Sequence, residues 1–453
     1  MVLLLPLCLA NFAVLFMVSG VGVALPAIQH DLGGSAVLLG WMEGAYTLAL
    51  AMAFVPVARL VDVWGYRRMF RIALAVFLTA GILLAFSPNL PFAIAVRTLQ
   101  AVAGATINTA ALSILAVGAD GQRRGSAMGW FVASIYAGLA VGPLVGGIVV
   151  HHLGWRSVFV LSVPVVAVAW FFSGRMRGEW RPRQGQGIDV LGCVLYAGSV
   201  ETWLMALASV GNAYRVGQLV ASAVLLTWWF VRRMGHQVDP LLDIRAVAQN
   251  RALVFSLLAT GINYASTFCV GFLLSLYLQV VRGLSPTHAG LVLAVPPFIQ
   301  SLGSPGVGRL ADRLPAPWMA SAGMGLCAGV LAVLASNAQG FSVLQLAGVL
   351  AVLGLGFALF ASPNMTVILA AVPPQSYAVA SSLTGAMRTF GMAASMAGIT
   401  VVFGQVMGER AVHEAGPGPL SEAVVTVLGG AATLSLVGIV LSLGRVAWPD
   451  WKR

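Results

Sequence analysis

Charge is what this chain has least of. Asp, Glu, Lys and Arg make up only 9% of its 453 residues, against 59% hydrophobic, whereas a soluble domain carries about a quarter charged residues. That balance excludes a water-soluble surface. Acidic residues are scarcer still, 14 against 25 basic, and the basic ones stand in short clusters between apolar runs. Such clusters make no continuous phosphate-tracking surface, so no nucleic-acid partner is expected. Cysteine is limited to Cys8, Cys193, Cys269 and Cys327, all inside apolar runs and without ligand spacing. Neither a disulfide framework nor a metal site is implied, and no cofactor is expected. The chain also lacks an H-E-x-x-H pair, an aspartate-rich diphosphate cluster and a G-x-S-x-G elbow, which argues against a membrane enzyme acting on lipids. The first apolar run has no basic leader and continues to about Ile28. It is too long for a removable signal peptide and is expected to stay as a membrane helix.

What the chain has is apolar length, with 52 glycines and 21 prolines, a composition tolerated where membrane helices pack on small residues. Breaking it at charge, Pro and Gly clusters leaves about fourteen runs near the ~20 residues that span a bilayer. The expected class is therefore an all-α polytopic membrane protein embedded in a lipid bilayer. Nineteen of the 25 basic residues follow even-numbered runs, among them Arg67, Arg68, Arg123, Arg177, Arg309, Arg445, Lys452 and Arg453. Only Arg156, Arg215, Arg282 and Arg410 occupy the opposite connections. This bias predicts both termini in the cytoplasm.

A duplication is also legible. Arg59-Leu60-Val61-Asp62 recurs as Arg309-Leu310-Ala311-Asp312, and Ile114-Leu115-Ala116 as Ile368-Leu369-Ala370. The shift is eight runs, which predicts two six-helix bundles, 1–174 and 251–453, separated by a basic loop, two inserted helices (188–210 and 214–231) and a linker within 175–250.

Three motifs carry the functional reading. Gly138-x-x-x-Gly142-Pro143-x-x-Gly146-Gly147 places small residues at helical spacing around a helix-bending proline, a groove for close helix approach. In Ala58-x-Leu60-Val61-Asp62-x-x-Gly65-x-Arg67-Arg68, a carboxylate beside a basic turn is expected to dock on a helix N-terminus of the other bundle and bias the position of the two halves. Arg97-x-x-Gln100 lies deep in an apolar run and should face a polar cavity or serve as a counter-charge.

On these motifs, with Asp239-Pro240-Leu241-Leu242 and the run from Tyr277 to Pro286, the chain resembles the fourteen-helix drug:proton antiporters of the major facilitator superfamily. The resemblance implies a major facilitator fold in a bacterial inner membrane, with Asp62, Arg67, Arg68, Asp312 and the glycine groove serving conformational switching. It also implies proton-coupled efflux of hydrophobic or amphipathic small molecules such as drugs, by a monomer working through alternating access. A dedicated metabolite exporter or importer of the same superfamily, not necessarily proton-coupled, would share every motif. One departure stands out: the first-helix aspartate common in that branch is Met17 here, ahead of Ala24-Leu25-Pro26. Glu43, with Arg97, becomes the candidate for proton coupling, unless it is an interfacial carboxylate. Glu201 lies on an inserted helix, where a structural hydrogen bond is expected. Asn11, Gln100, Asn108, Asn263, Tyr264 and Gln300 are candidate cavity residues, or alternatively helix-to-helix hydrogen-bonding groups. His30, His151, His152 and His413 are placed in outer loops.

Overall fold

The structure, a computed structural model, describes residues 3–33, 36–118, 124–176, 178–183, 187–237, 239–337, 340–407 and 417–444. Arg123, Arg177, Arg410, His413, Arg445, Lys452 and Arg453 lie outside them. Fourteen helical spans among the described residues are long and apolar enough to cross a membrane, which is the only way a polar backbone can satisfy itself in lipid without closing a barrel. The first half contains α1 (Leu4–Leu32), α2 (Ala36–Trp64), α3 (Tyr66–Ala85), α4 (Leu90–Gly118), α5 (Arg124–Leu153) and α6 (Arg156–Ser173). An inserted pair follows, α7 (Val190–Ala208) and α8 (Ala213–His236). After the short α9 (Ile244–Gln249), the second half contains α10 (Arg251–Thr267) continued by α11 (Cys269–Leu276), α12 (Pro286–Leu293) continued by α13 (Val295–Ala311), α14 (Ala316–Asn337), α15 (Val343–Ala370), α16 (Tyr377–Met407) and α17 (Pro417–Gly444).

Helix starts are marked by local chemistry. Asp189, Asn212, Asn250 and Ser342 each cap a helix with a side-chain oxygen that accepts from a backbone N–H of the first turn, satisfying donors that have no partner within the helix. The start of α3 is capped from a distance: Glu179, beyond α6, accepts from Arg67 N at 2.9 Å and Arg68 N at 3.0 Å. Gly65 makes that approach possible, since its φ is +103° and a Cβ there would lie 2.5 Å from Glu179 Oε1. At the opposite end Asp31 on α1 joins Trp155 and Arg156, and hydrogen bonds from first Arg156 and then Trp155 hold its carboxyl below the usual carboxylate range.

The glycine groove on α5 faces α1. A Cβ at Gly138 would run into the Phe12 carbonyl, and one at Gly142 would overlap Ser19 Oγ and stand 2.9 Å from Phe16 O. One at Gly146 would lie 3.3 Å from Gly20 Cα, whereas Gly147 meets nothing closer than Val23 Cγ1 at 3.8 Å. Pro143 sits within a continuous α5. Three of the four motif glycines therefore buy backbone proximity within the first half, not between halves.

The inserted pair stands outside this core. α7 packs on α2 and α16 through Tyr196, Leu195 and Ala51, while α8 is largely exposed. Glu201 is an exposed side chain on α7.

Candidate functional site

Two arginines lie deep inside spans, one in each half. Arg97 on α4 is fully buried; its guanidinium donates to Gln100 Oε1 at 2.7 Å and to Glu43 Oε1 at 3.1 Å, and lies 4.3 Å from the Tyr46 ring centroid. Burying a charge in the membrane is costly unless it is paired. A guanidinium has five donors in a fixed fork; here a carboxylate and an amide take one bond each, an aromatic face covers the group, and Nε is left without a partner among the described residues. Glu43 is the only partner of the three that can take up a proton, and 31% of its side chain is exposed whereas Arg97 is fully enclosed. Protonating it would remove the ion pair while leaving Arg97 held by Gln100 and Tyr46. Met17, at the place of the missing aspartate, is fully buried in the apolar core.

Between the halves lies a small cavity of about 60 Å³, walled by α4, α5, α10, α15 and α16. Asn108 and Tyr264 line it, as the sequence suggests. Asn11, Gln100, Asn263 and Gln300 do not. Asn11 is buried behind Asn108 and accepts its amide at 3.2 Å, tying α1 to α4. Gln100 is consumed by Arg97, Asn263 is fully buried beside Cys327, and Gln300 backs the Tyr136 hydroxyl. Asn11 and Gln100 are turned away from the cavity by partners on the helices themselves, Asn108 across α1 and α4 and Arg97 along α4, as expected of polar side chains in lipid; Asn263 and Gln300 are buried in helix packing.

Sequence reasoning passed over two lining residues of consequence. Tyr136 on α5 meets Tyr264 on α10 hydroxyl to hydroxyl at 2.6 Å, across the cavity. Arg388, in the middle of α16, is the second deep arginine; the reasoning that singles out Arg97 in an apolar run applies to it unchanged. Asn364 and Thr260 close the second-half wall with a bond of 2.9 Å. A wider, shallow depression of about 640 Å³, between Tyr277 and α17, lies apart from these residues.

The two halves are joined at the end that bears the basic loops. Asp312, at the C-terminal end of α13, accepts from Gly125 N at 2.7 Å and Ser126 N at 3.0 Å, the first turn of α5 in the other half. The helices cross on bare backbone: a Cβ at Gly129 would lie 2.5 Å from Ser304 O, and one at Gly308 would stand 2.8 Å from Gly129 Cα. Arg124 donates to the Tyr377 hydroxyl at 3.1 Å, linking α5 to α16. Ser301 donates to Ala133 O at 3.0 Å, further along α5.

Asp62 does not take the docking role expected of it. It is fully buried, accepts from Tyr66 Oη at 3.1 Å, lies 3.9 Å from Arg183 Nε and so stays within its own half. The loop after α6 reaches the motif first: Arg183 approaches Asp62, and Gly187 O accepts from Arg59 at 3.0 and 3.2 Å. Arg67 likewise turns inward, donating to Gly174 O at 2.7 Å. Arg68 is bound to Glu179 through its backbone.

The comparisons agree with this architecture. The profile of the Major Facilitator Superfamily matches residues 7–396. The riboflavin transporter RibZ of Clostridioides difficile is 26% identical over 89% of this chain and 88% of its own length. The multidrug efflux pump LfrA of Mycolicibacterium smegmatis is 28% identical over 91% of this chain and 82% of its own. Among solved structures, the proton:xylose symporter XylE superposes with a TM-score of 0.66 at 12% identity, covering 97% of this chain and 94% of that one.

Proposed function

The chain belongs to the major facilitator superfamily, and from that premise we propose that it exports hydrophobic or amphipathic small molecules in exchange for protons, as a monomer in a bacterial inner membrane with both termini in the cytoplasm. The observation that carries this reading is the Glu43, Arg97 and Gln100 cluster on the first half, an ion pair whose arginine is fully buried and whose carboxylate is partly exposed. Tyr46 stacks on Arg97 from α2, the helix that carries Glu43. A change of charge at Glu43 alters the pairing of the fully buried Arg97.

A cavity of about 60 Å³ is far below the roughly 300–1,000 Å³ of a ligand site, so the molecule is in a closed state between loadings. With the basic loops in the cytoplasm, the Asp312 contact closes the cytoplasmic side. Two charge-assisted bonds to a helix N-terminus are worth about 0.5–2 kcal/mol, enough to bias the halves and small enough to be overcome in every cycle. Proton loading at Glu43 weakens its hold on Arg97 and shifts the preference between conformations; substrate that binds the cytoplasm-open state is then carried outward. No chemistry is done on the substrate.

The test is efflux from proteoliposomes under an imposed pH gradient, with and without an ionophore. Glu43→Gln keeps the shape and one acceptor oxygen while fixing the neutral form, so it is expected to abolish gradient-driven accumulation and to retain substrate-for-substrate exchange. Proton-dependent accumulation that survives in this variant removes Glu43 from the mechanism. A second reading, a dedicated metabolite transporter, draws support from the riboflavin transporter among the relatives; a narrow substrate range across unrelated dyes and metabolites would favour it.

A further inference from the structure

Resting on the transporter reading, we propose that the central cavity selects organic anions with a planar aromatic body, and that Arg388 is the residue that binds their negative group. The observation is an uncompensated charge. Arg388 lines the cavity from α16, and among the described residues no hydrogen bond or ion pair to it is found. No carboxylate lines the cavity with it. The one carboxylate placed with the deep arginines, Glu43, is bonded to Arg97.

Charge bookkeeping then decides the sign. Arg97 and Glu43 cancel, and Arg388, which cannot lose its proton in a protein, leaves the walls with one net positive charge. In a site closed off from water, a cation brought against that charge is repelled and an anion attracted far more strongly than in solution. An arginine inside a membrane is tolerated where it faces a polar path and meets a partner. Here the wall supplies no anion, so the cargo is the partner.

The rest of the wall fits the same ligand. The Tyr136 and Tyr264 hydroxyls bond to each other at 2.6 Å, which uses one phenolic proton and leaves the other to donate. Asn364 and Thr260 add polar atoms beside them, while Phe131 and Phe360 supply aromatic surface. A guanidinium pairs with a carboxylate or sulfonate through two parallel N–H···O bonds, and the aromatic walls hold a flat ring system.

The experiment uses two dyes that share a xanthene frame and differ in charge: fluorescein, an anion, and rhodamine 123, a cation. Affinities are measured by fluorescence anisotropy on the purified full chain in lipid nanodiscs, and transport by movement into inverted membrane vesicles. Wild type is expected to bind fluorescein at least about tenfold more tightly than rhodamine 123, the discrimination one charged hydrogen-bonding group supplies. Arg388→Gln should erase that preference, and Arg388→Lys should keep most of it. Equal affinities in wild type, a preference for rhodamine 123, or a preference unchanged in Arg388→Gln would each overturn the inference. Should Arg388→Gln fail to fold, the wild-type preference and its persistence in Arg388→Lys still decide. Fluorescein bound with the expected preference yet never moved by wild type sinks the export reading and leaves the anion site standing. Rhodamine 123 moved and fluorescein neither preferred nor moved does the reverse.

Discussion

The Arg-Leu-x-Asp frame occurs twice, and its two copies have been put to opposite uses. In the first, Arg59 and Asp62 are 2% and 0% exposed and bond inward, to Gly187 O, Tyr66 and Arg183. In the second, Arg309 and Asp312 are exposed, and Asp312 reaches across to the start of α5. The surroundings differ, not the frame. A loop follows α6 on its way to the inserted α7 and α8, and it supplies Glu179, Arg183 and Gly187 to the first copy. The first copy thus anchors an insertion to its bundle, and the second holds two bundles together. A repeated motif fixes what a segment can offer, while its neighbours decide who accepts.

The sharpest way to break this comparison is at Gly308 and its counterpart Ala58. In Gly308→Ala the new methyl would collide with the Gly125 carbonyl; overpacking of this kind costs about 1–3 kcal/mol, so the closed state should lose about fivefold to 150-fold in population. Spin labels at the ends of α5 and α13 would report this as a lengthened distance, with efflux falling in step. Ala58→Gly loses one buried methyl and about 1 kcal/mol of helix propensity, and closure should be unaffected. If the two substitutions open the molecule equally, the assigned division of labour is wrong.

Asp312→Asn and Asp62→Asn come next. Asn at 312 keeps one acceptor oxygen but loses the charge facing a helix N-terminus, for an expected threefold to tenfold shift toward opening, on the order of the helix-terminus effect. Its turnover should change more than its substrate affinity. Asn at 62 leaves Arg183 without its carboxylate, so melting temperature should drop while the α5 to α13 distance distribution stays put. The smallest effect separates the arginines. Arg59→Met should raise hydrogen exchange in the 187–192 backbone, which Arg59 holds through Gly187, whereas Arg309→Met should leave exchange at α13 unchanged.

Much of the fold could be read from the chain alone, because the length and number of apolar spans depend on composition over many residues. The groove at Gly138, Gly142 and Gly146 was legible for the same reason: small residues at helical spacing have one use in lipid. What was not legible depended on which element arrives first. Asp62 reads as a docking group until the loop after α6 occupies it, and nothing near Asp62 in sequence announces Arg183. Gly125 and Gly129, four residues apart at the start of α5, carry the same signal as the groove but were overshadowed by it. Arg388 was hidden by averaging, since one charge among thirty-one residues of α16 hardly lowers its hydropathy, and a search for proton sites looks for carboxylates.

The crossing of α5 over α13 has a mechanical consequence. Where Gly125, Gly129 and Gly308 meet, the facing surfaces are backbone on backbone apart from the Asp312 carboxylate at their edge, so a displacement there requires few side chains to leave one well and find another, and little side-chain entropy changes hands as the surfaces part. Interlocked leucines would make the same joint a ratchet with a barrier at every notch. Bare backbone makes it a bearing: low in friction, indifferent to small changes of register, and ruined by the smallest burr, since even one methyl group is a projection on a surface that works by having none.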